Sequence, residues 1–275
     1  MLEIFQEMFS YPFLVRAVIV GLLVSLCSSL LGVVLVLKRY SMIGDGLSHV
    51  GFGSLAVAAA LNLAHLTVSI PVVVLAAFLL LRVSENSKIK GDAFIALIST
   101  SAMAVGVLVI STSTGMNTDV CNYMFGSILS MTKTDVYLSV PLSIVVLILF
   151  ILFYNKIFAV TFDETFVKAS GIKIGALNAL IASLTAVTVV LGMRMMGALL
   201  ISSLIIFPSL TSMRIFKSFK SVVISSALLS AICFFIGITC SFAYSTPTGA
   251  SIVAINAAAF CIFALISVLK RKIAL

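Results

Sequence analysis

The chain has 275 residues, of which 62% are hydrophobic and 9% charged, and its net charge is +8. A soluble domain carries about a quarter charged residues, so this deficit, with a mean hydropathy of +1.29, excludes the soluble classes. The positive balance would suit nucleic acid, but the basic residues fall between apolar runs as in the cytoplasmic loops of a membrane protein, and no nucleic-acid partner is expected.

Glu3 and Glu7 precede Arg16, which is not a basic leader region, so no cleaved signal peptide is expected. A helix needs roughly 20 apolar residues to cross the hydrocarbon core. The first such run lies between Arg16 and Lys38. The stretch from Gly46 to Leu81 is too long for one crossing, and Asn62–His65 supplies a turn that makes it a helical hairpin. Single runs follow at Ala93–Thr118, Val136–Asn155, Ile174–Met193 and Met195–Met213. Ser221–Leu269 is again of double length, broken by Thr246-Pro247-Thr248-Gly249. The fold class is therefore all-α, a polytopic transmembrane helical bundle of nine spans forming a single domain over 1–275, or of eight if the run around Arg194 is not a full exit. Strands of a β-barrel would need short alternating segments rather than these long runs. Small residues such as Gly51, Gly53, Ser54 and Ala58–Ala60 let helix backbones approach closely.

The basic residues alternate between connections. Lys38 and Arg39 lie in the first, Arg82, Lys88 and Lys90 in the third, and Lys156, Lys168 and Lys173 in the fifth. Arg214, Lys217 and Lys220 lie in the seventh, and Lys270, Arg271 and Lys272 in the tail; the even connections hold only Lys133 and Arg194. Positive loops stay inside, so the N-terminus is expected outside and the C-terminus in the cytoplasm.

Gly44-Asp45-Gly46-Leu47-Ser48-His49 opens the second span. Asp45 and His49 are four residues apart and share one helix face, and an ionisable residue within a span marks a functional position by default. A carboxylate with an imidazole suits Zn²⁺ or Mn²⁺. Equally, Asp45 could cap the helix and His49 pack within it. Two ligands do not complete a site; the rest would come from a second subunit, another span or water.

The longest cytoplasmic connection, Asn155–Lys173, contains Phe162-Asp163-Glu164-Thr165-Phe166-Val167-Lys168-Ala169-Ser170-Gly171. Asp163 can cap this segment and Gly171 end it, giving a short amphipathic helix along the membrane, either for a motor subunit to grip or as an ordinary interfacial helix. The outer connection Ser113–Asp135, with Asp119, Asn122 and Tyr123, could hold a helix dipping into the bundle or a plain loop. Arg194 has no adjacent acid and is expected to snorkel. Met193, Met195, Met196 and Met213 read as packing; His65, in an external turn, has no assigned role. Asn178 and Asn256 are expected as interhelical hydrogen-bond donors. Five cysteines without a Cys-x-x-Cys pair, four of them (Cys27, Cys233, Cys240, Cys261) in apolar runs and Cys121 outside them, argue against a disulfide framework. There is no Gly-x-x-x-x-Gly-Lys loop, so any ATP is bound by another chain.

Lys38-Arg39-Tyr40-Ser41-Met42-Ile43-Gly44-Asp45-Gly46-Leu47-Ser48-His49 resembles the basic-pair, Gly-Asp-x-Leu-Ser-His signature of the zinc/manganese/iron ABC-importer permeases. Three further segments resemble the same family in order: Phe162-Asp163-Glu164 through Gly171, Gly197-Ala198-Leu199-Leu200 through Ile205-Ile206-Phe207-Pro208, and Thr246-Pro247-Thr248-Gly249. The likeness runs from about Pro12 to Leu269. It departs after His49, where Val50-Gly51-Phe52-Gly53 replaces an Ala-x-x-Pro-Gly type of sequence. The resemblance implies a multi-pass permease of the bacterial cell membrane, a homodimer among membrane lipid, served by a cytoplasmic ABC ATPase and an extracytoplasmic metal-binding protein. It implies that Asp45 and His49 bind metal in transit and that Phe162, Asp163, Glu164 and Gly171 belong to the ATPase-coupling helix.

The expected function is thus an ATP-driven importer permease for a divalent metal, zinc first, with manganese or iron as alternatives. It holds no permanent cofactor and catalyses no covalent reaction. An ion-coupled secondary transporter is the rival class, but it should show inverted repeats and several intramembrane carboxylates, and only Asp45 qualifies. A membrane metalloenzyme would need a ligand set such as His-Glu-x-x-His, and the chain has two histidines. On the expected topology, single cysteines at Ser87 and Ser218 react with an impermeant thiol reagent only from the cytoplasmic side and one at Thr118 only from outside. A cytoplasmic Thr118 would overturn the map.

Overall fold

The computed structural model describes residues 8, 10–63, 65–86, 91–112 and 133–273. Ser87, Thr118, Lys88, Lys90, Cys121 and the outer segment with Asp119, Asn122 and Tyr123 lie outside the described residues. The described residues form eleven helices: α1 Pro12–Leu37, α2 Ile43–Ala60, α3 His65–Asn86, α4 Gly91–Thr112, α5 Lys133–Leu152, α6 Tyr154–Phe162, α7 Glu164–Ala169, α8 Ile174–Met196, α9 Ala198–Met213, α10 Phe219–Tyr244 and α11 Thr248–Ile273. The expectation of an all-helical bundle holds. Six helices, α1, α4, α5, α8, α10 and α11, contain stretches long and apolar enough to cross a membrane. The apolar part of α3, Leu66–Arg82, and α9 are shorter, while α2 carries Asp45, Ser48 and His49.

Both expected hairpin turns are present. Asn62, at φ 53°, lies between α2 and α3, and Ser245, at φ 52°, lies between α10 and α11 ahead of Pro247. The expected break around Arg194 falls instead at Gly197, with Arg194 in the last turn of α8. Gly197 alone joins α8 to α9 at φ 85°, ψ 162°, a conformation that a residue with a Cβ adopts only under strain. The expectation of a snorkelling Arg194 also fails: its Nη2 lies 3.6 Å from Asp135 Oδ2, in the first turn of α5, and both side chains are largely buried. Sequence distance hid this acid.

α1 and α8 form the centre of the bundle and α11 its rim. α1 packs against α5, α8, α9 and α10. Lipid is as apolar as the side chains, so association rests on close approach and interhelical hydrogen bonds. Ser230 and Ser226 of α10 donate to the Ser25 and Ser29 carbonyls of α1 at 3.0 and 3.4 Å, and Ser209 of α9 also donates to Ser29 at 3.3 Å. As α1 advances from Ser25 to Ser29, α10 recedes from Ser230 to Ser226, so the two run antiparallel. α2 and α4 run parallel: Gly46 faces Ile95, and seven residues on in both helices Gly53 faces Ala102.

The helix ends sort into two groups. Lys38, after α1, meets Glu164 of α7, and Ser267, near the end of α11, donates to the Arg214 carbonyl after α9. At the other group, Asp135 meets Arg194, and Tyr11 before α1 lies 6.4 Å, ring to ring, from Phe242 near the α10–α11 turn.

The amide expectations are corrected in part. Asn256 donates to the Ile252 carbonyl of its own helix rather than across helices. Asn178 does link two helices, but as an acceptor from Lys38 near the start of α8. Cys27, Cys233, Cys240 and Cys261 are free, as expected.

A Cβ on Gly53 would come within 2.6 Å of the Ala102 carbonyl oxygen, whereas one on Gly175 would meet nothing within 4 Å. Gly53→Ala is therefore expected to destabilise the protein by about 1–3 kcal/mol through overpacking, and Gly175→Ala to leave it unchanged or stabilise it by up to about 1 kcal/mol. Thermal unfolding of the two variants in the same detergent checks the pair; equal midpoints would remove the close α2–α4 contact.

Candidate metal site and coupling segment

Asp45 is the third residue of α2, not its cap. Met42 occupies the cap position and no side chain caps the helix. The carboxylate therefore keeps its oxygens free for groups beyond the helix, while the helix dipole favours a negative charge in this first turn. His49 follows one turn later, with Nε2 3.7 Å from Asp45 Oδ2; the Asp45 side chain is 40% exposed and that of His49 26%. Neither is sealed in the core. Ser48 is turned away, donating to the Asp45 carbonyl at 2.7 Å.

α9 adds a residue that the sequence did not single out. Ser202 donates to Asp45 Oδ1 at 3.0 Å and so fixes the orientation of the carboxylate from across a helix interface. It lies inside the Gly197–Pro208 segment, but a serine in an apolar span is ordinary, and no spacing links it to Asp45 157 positions away. Asp45 and His49 line a cavity of about 60 Å³ with Phe52 of α2, Met103 and Val107 of α4, and Ala198 and Leu199 of α9. A site needs about 10–15 Å³ of such space per water, so it has room for an ion with part of its hydration shell. Among the described residues no third His, Cys, Asp or Glu joins the pair. The donors are one carboxylate, one imidazole and the nearby Ser202 hydroxyl, an oxygen–nitrogen set that suits Zn²⁺ and Mn²⁺.

The other predicted residues gather at the end of the bundle where α1 finishes and α8 begins. The expected short helix is α7, and α6 precedes it; the two meet at Asp163, whose backbone is extended at φ −148°, ψ 92°. Asp163 caps α7 as expected, accepting from the Phe166 N–H at 2.9 Å. Gly171, at φ 76°, closes the turn after α7. Val167 is fully buried, while Phe162 and Phe166 are 58% and 64% exposed. Phe162 also stacks against Phe158 and Phe219, with centroids 5.1 and 5.9 Å apart, which moors α6 to the start of α10. Glu164 accepts from Lys38 at 2.8 Å. Asp45 and His49 are thus brought together, Phe162, Asp163, Glu164 and Gly171 are brought together, and the two sets form separate places in the bundle.

The sequence profile described as the ABC 3 transport family matches residues 10–267. The manganese import system permease protein ScaB of Streptococcus gordonii is 27% identical, over 98% of this chain and 99% of its own length. The high-affinity zinc uptake system membrane protein ZnuB of Haemophilus influenzae is also 27% identical, over 95% of this chain and 99% of its own. Among solved structures, a chain of PsaBC from Streptococcus pneumoniae in complex with Fab superimposes with a TM-score of 0.85 at 27% identity, covering 95% of this chain and 94% of that one.

Replacing Ser202 by alanine releases Asp45 Oδ1. Titration calorimetry with Zn²⁺ on the purified protein is expected to show about tenfold weaker binding, the scale of one hydrogen bond to a charged group, and Ser202→Thr to retain it. Equal affinity in all three proteins would show that Ser202 does not hold the carboxylate for metal.

Proposed function

The chain belongs to the ABC 3 transport family, and on that premise we propose that it is the membrane permease of an ATP-driven importer for divalent transition metals, with Asp45 and His49 binding the ion in transit. The observation that carries this reading is an acid–imidazole pair 3.7 Å apart facing a small cavity in an otherwise apolar bundle. An intramembrane ionisable pair marks a functional position by default, and an ion pathway is among its uses. Family membership sets aside the secondary-carrier alternative, and the chain is a transport subunit rather than an enzyme.

Zinc is the proposed cargo. A site of oxygen and nitrogen donors binds Zn²⁺ more tightly than Mn²⁺ or Fe²⁺ on the usual order of divalent affinities. Equal identity to a manganese and a zinc relative does not choose between those metals, so manganese and iron stay as alternatives. Competition decides: excess Zn²⁺ should suppress manganese uptake more than the reverse, and the opposite order would reassign the cargo.

The proposed arrangement has nine crossings of one domain over 1–275, with the N-terminus outside and the C-terminus in the cytoplasm of a bacterial cell. Antiparallel α1 and α10, parallel α2 and α4, and the sorting of helix ends into two groups support that count. A cytoplasmic ATPase would grip α6 and α7, where exposed Phe162 and Phe166 stand beside the capping Asp163, Glu164 and Gly171. An extracytoplasmic binding protein would deliver metal to the opposite end. A second copy of the permease is proposed as partner, since much of α4, α5 and α11 is unburied within one chain.

Asp45→Asn keeps size and hydrogen bonding but removes charge, and His49→Gln keeps polarity while weakening coordination. Radiolabelled zinc and manganese uptake into vesicles carrying the complete transporter is expected to fall by more than tenfold in both, since losing one of few ligands costs several kcal/mol and each 1.4 kcal/mol is about tenfold. Wild-type rates in both variants would sink the metal site and leave the family assignment standing.

A further inference from the structure

Lys38 is held by its backbone and reaches two other helices with its side chain. It is the C-cap of α1, its N–H bonded to the Val34 carbonyl at 2.9 Å, while the Arg39 N–H bonds to that of Val36 at 3.1 Å. The next residues lock the turn: Arg39 sits at φ 62°, and Tyr40 N–H bonds back to the Leu35 carbonyl at 2.8 Å. From this fixed base Nζ donates to Glu164 Oε1 of α7 at 2.8 Å and to Asn178 Oδ1 of α8 at 2.7 Å. The Lys38 side chain is only 7% exposed, and Asn178 is 6% exposed. A buried ammonium is strongly destabilised when its partner is withdrawn.

The attachment of α7 to the bundle is therefore of two kinds. Val167 inserts as an apolar knob, fully buried, a contact that is non-directional. Glu164 is bound by charge and geometry. A displacement of α7 that lengthened this contact would strand the ammonium beside a neutral amide, so the lysine resists separation and carries the movement with it. The same turn leads directly into α2 at Ile43, and Asp45 lies seven residues beyond Lys38.

We propose that Lys38 is a positioning residue of the transport cycle: it pins α7 to α1 and α8 and passes the displacement of α7 through the α1–α2 turn to Asp45. This rests on the coupling role proposed above for the segment from Phe162 to Gly171. Glu164 is half-exposed, so water can solvate its carboxylate if the pair separates; the buried Lys38 ammonium has no such solvation, so the lysine is the member of the pair that depends on the contact.

The test uses the permease purified with its ATPase chain and reconstituted in lipid vesicles, with zinc uptake and ATP hydrolysis measured on the same preparation. Lys38→Met keeps the length of the side chain and removes the charge. Ions moved per ATP hydrolysed are expected to fall about tenfold or more, because hydrolysis continues while its movement is no longer passed on. A merely structural defect lowers uptake and hydrolysis together and leaves the ratio unchanged. Lys38→Glu combined with Glu164→Lys restores the pair with its charges exchanged and is expected to recover part of the ratio lost in each single variant. An unchanged ratio in Lys38→Met, or a double variant no better than the singles, would overturn the proposal. Cross-linking from Phe166→Cys separates the two levels. A link to the ATPase chain with an unchanged Lys38→Met ratio removes the role of Lys38 alone; absence of that link in otherwise unaltered protein removes the coupling role, and the proposal with it.

Discussion

α2 is gripped on three sides through its glycines, and the candidate site depends on that grip. Gly44 faces Ile205 of α9, Gly46 and Gly53 face Ile95 and Ala102 of α4, and Gly51 faces the thioether end of Met193 in α8. At each of these positions a Cβ would approach a neighbouring atom to 2.8 Å or less. Close backbone approach supplies most of the attraction available between helices in lipid. It also fixes the rotation of α2 about its axis, because turning the helix would drive a side chain into one of these contacts. Asp45 and His49 inherit their direction from this constraint, and Ser202 can reach Asp45 because Gly44, one residue earlier, lets α9 come close.

Elsewhere several buried hydroxyls are satisfied within their own helix. Ser28, Thr185 and Thr188 return their hydroxyls to carbonyls of their own helices four residues back. Three charge pairs stand out among the described residues: Asp45–His49, Lys38–Glu164 and Arg194–Asp135. The last two sit at opposite ends and each ties together elements far apart in sequence. Arg194 stands three residues before Gly197, the single residue joining α8 to α9, so this brace steadies a connection that has no loop to absorb movement. Both braces also involve α8, which together with α1 forms the buried centre.

Most of the architecture was legible because lipid leaves few options. Backbone groups with no water to bond must close their hydrogen bonds within each segment, so long apolar runs had to be helices, and Asn62 and Thr246-Pro247 marked real turns. The Asp45–His49 pair was legible for the same reason, as acid and imidazole at helical spacing in an apolar setting. Its alternative role as a cap was open until α2 was seen to begin at Ile43. What sequence could not supply were pairings across helices. Ser202 with Asp45, Asp135 with Arg194, and Lys38 with Glu164 and Asn178 join residues more than 50 positions apart through packing, and no periodicity encodes packing partners. The short helix between a capping Asp163 and a terminating Gly171 was legible from those two residues, while α6 ahead of it, ending at the extended backbone of Asp163, was not singled out. The position of the α8–α9 break was misjudged on Arg194, a charge, when the backbone needed Gly197, a residue without a Cβ.

For the proposed metal site, a small donor set beside the cavity is what a pathway would require. A structural zinc site closes four protein ligands around the ion, and such sites bind with about 10–16 kcal/mol at neutral pH. At about 12 kcal/mol the dissociation constant is about 1 nM; with association as fast as about 10⁸ M⁻¹s⁻¹ the ion would leave only about once in ten seconds. That is storage, not passage. A conducting site must hold the ion firmly enough to replace part of its hydration shell and loosely enough to release it. Asp45 and His49 offer two strong donors, the cavity leaves room for water to remain on the ion, and Ser202 orients the carboxylate without adding a third charge. A movement of α2 by a fraction of an ångström relative to α9 would then change both the alignment of Asp45 and its bond to Ser202. Because α2 starts directly after the turn that Lys38 anchors, the proposed role of Lys38 would give such a movement a mechanical origin at the α7 end of the bundle. The proposed site would need few ligands because its affinity would be altered by displacement, and a fuller ligand set would resist that displacement.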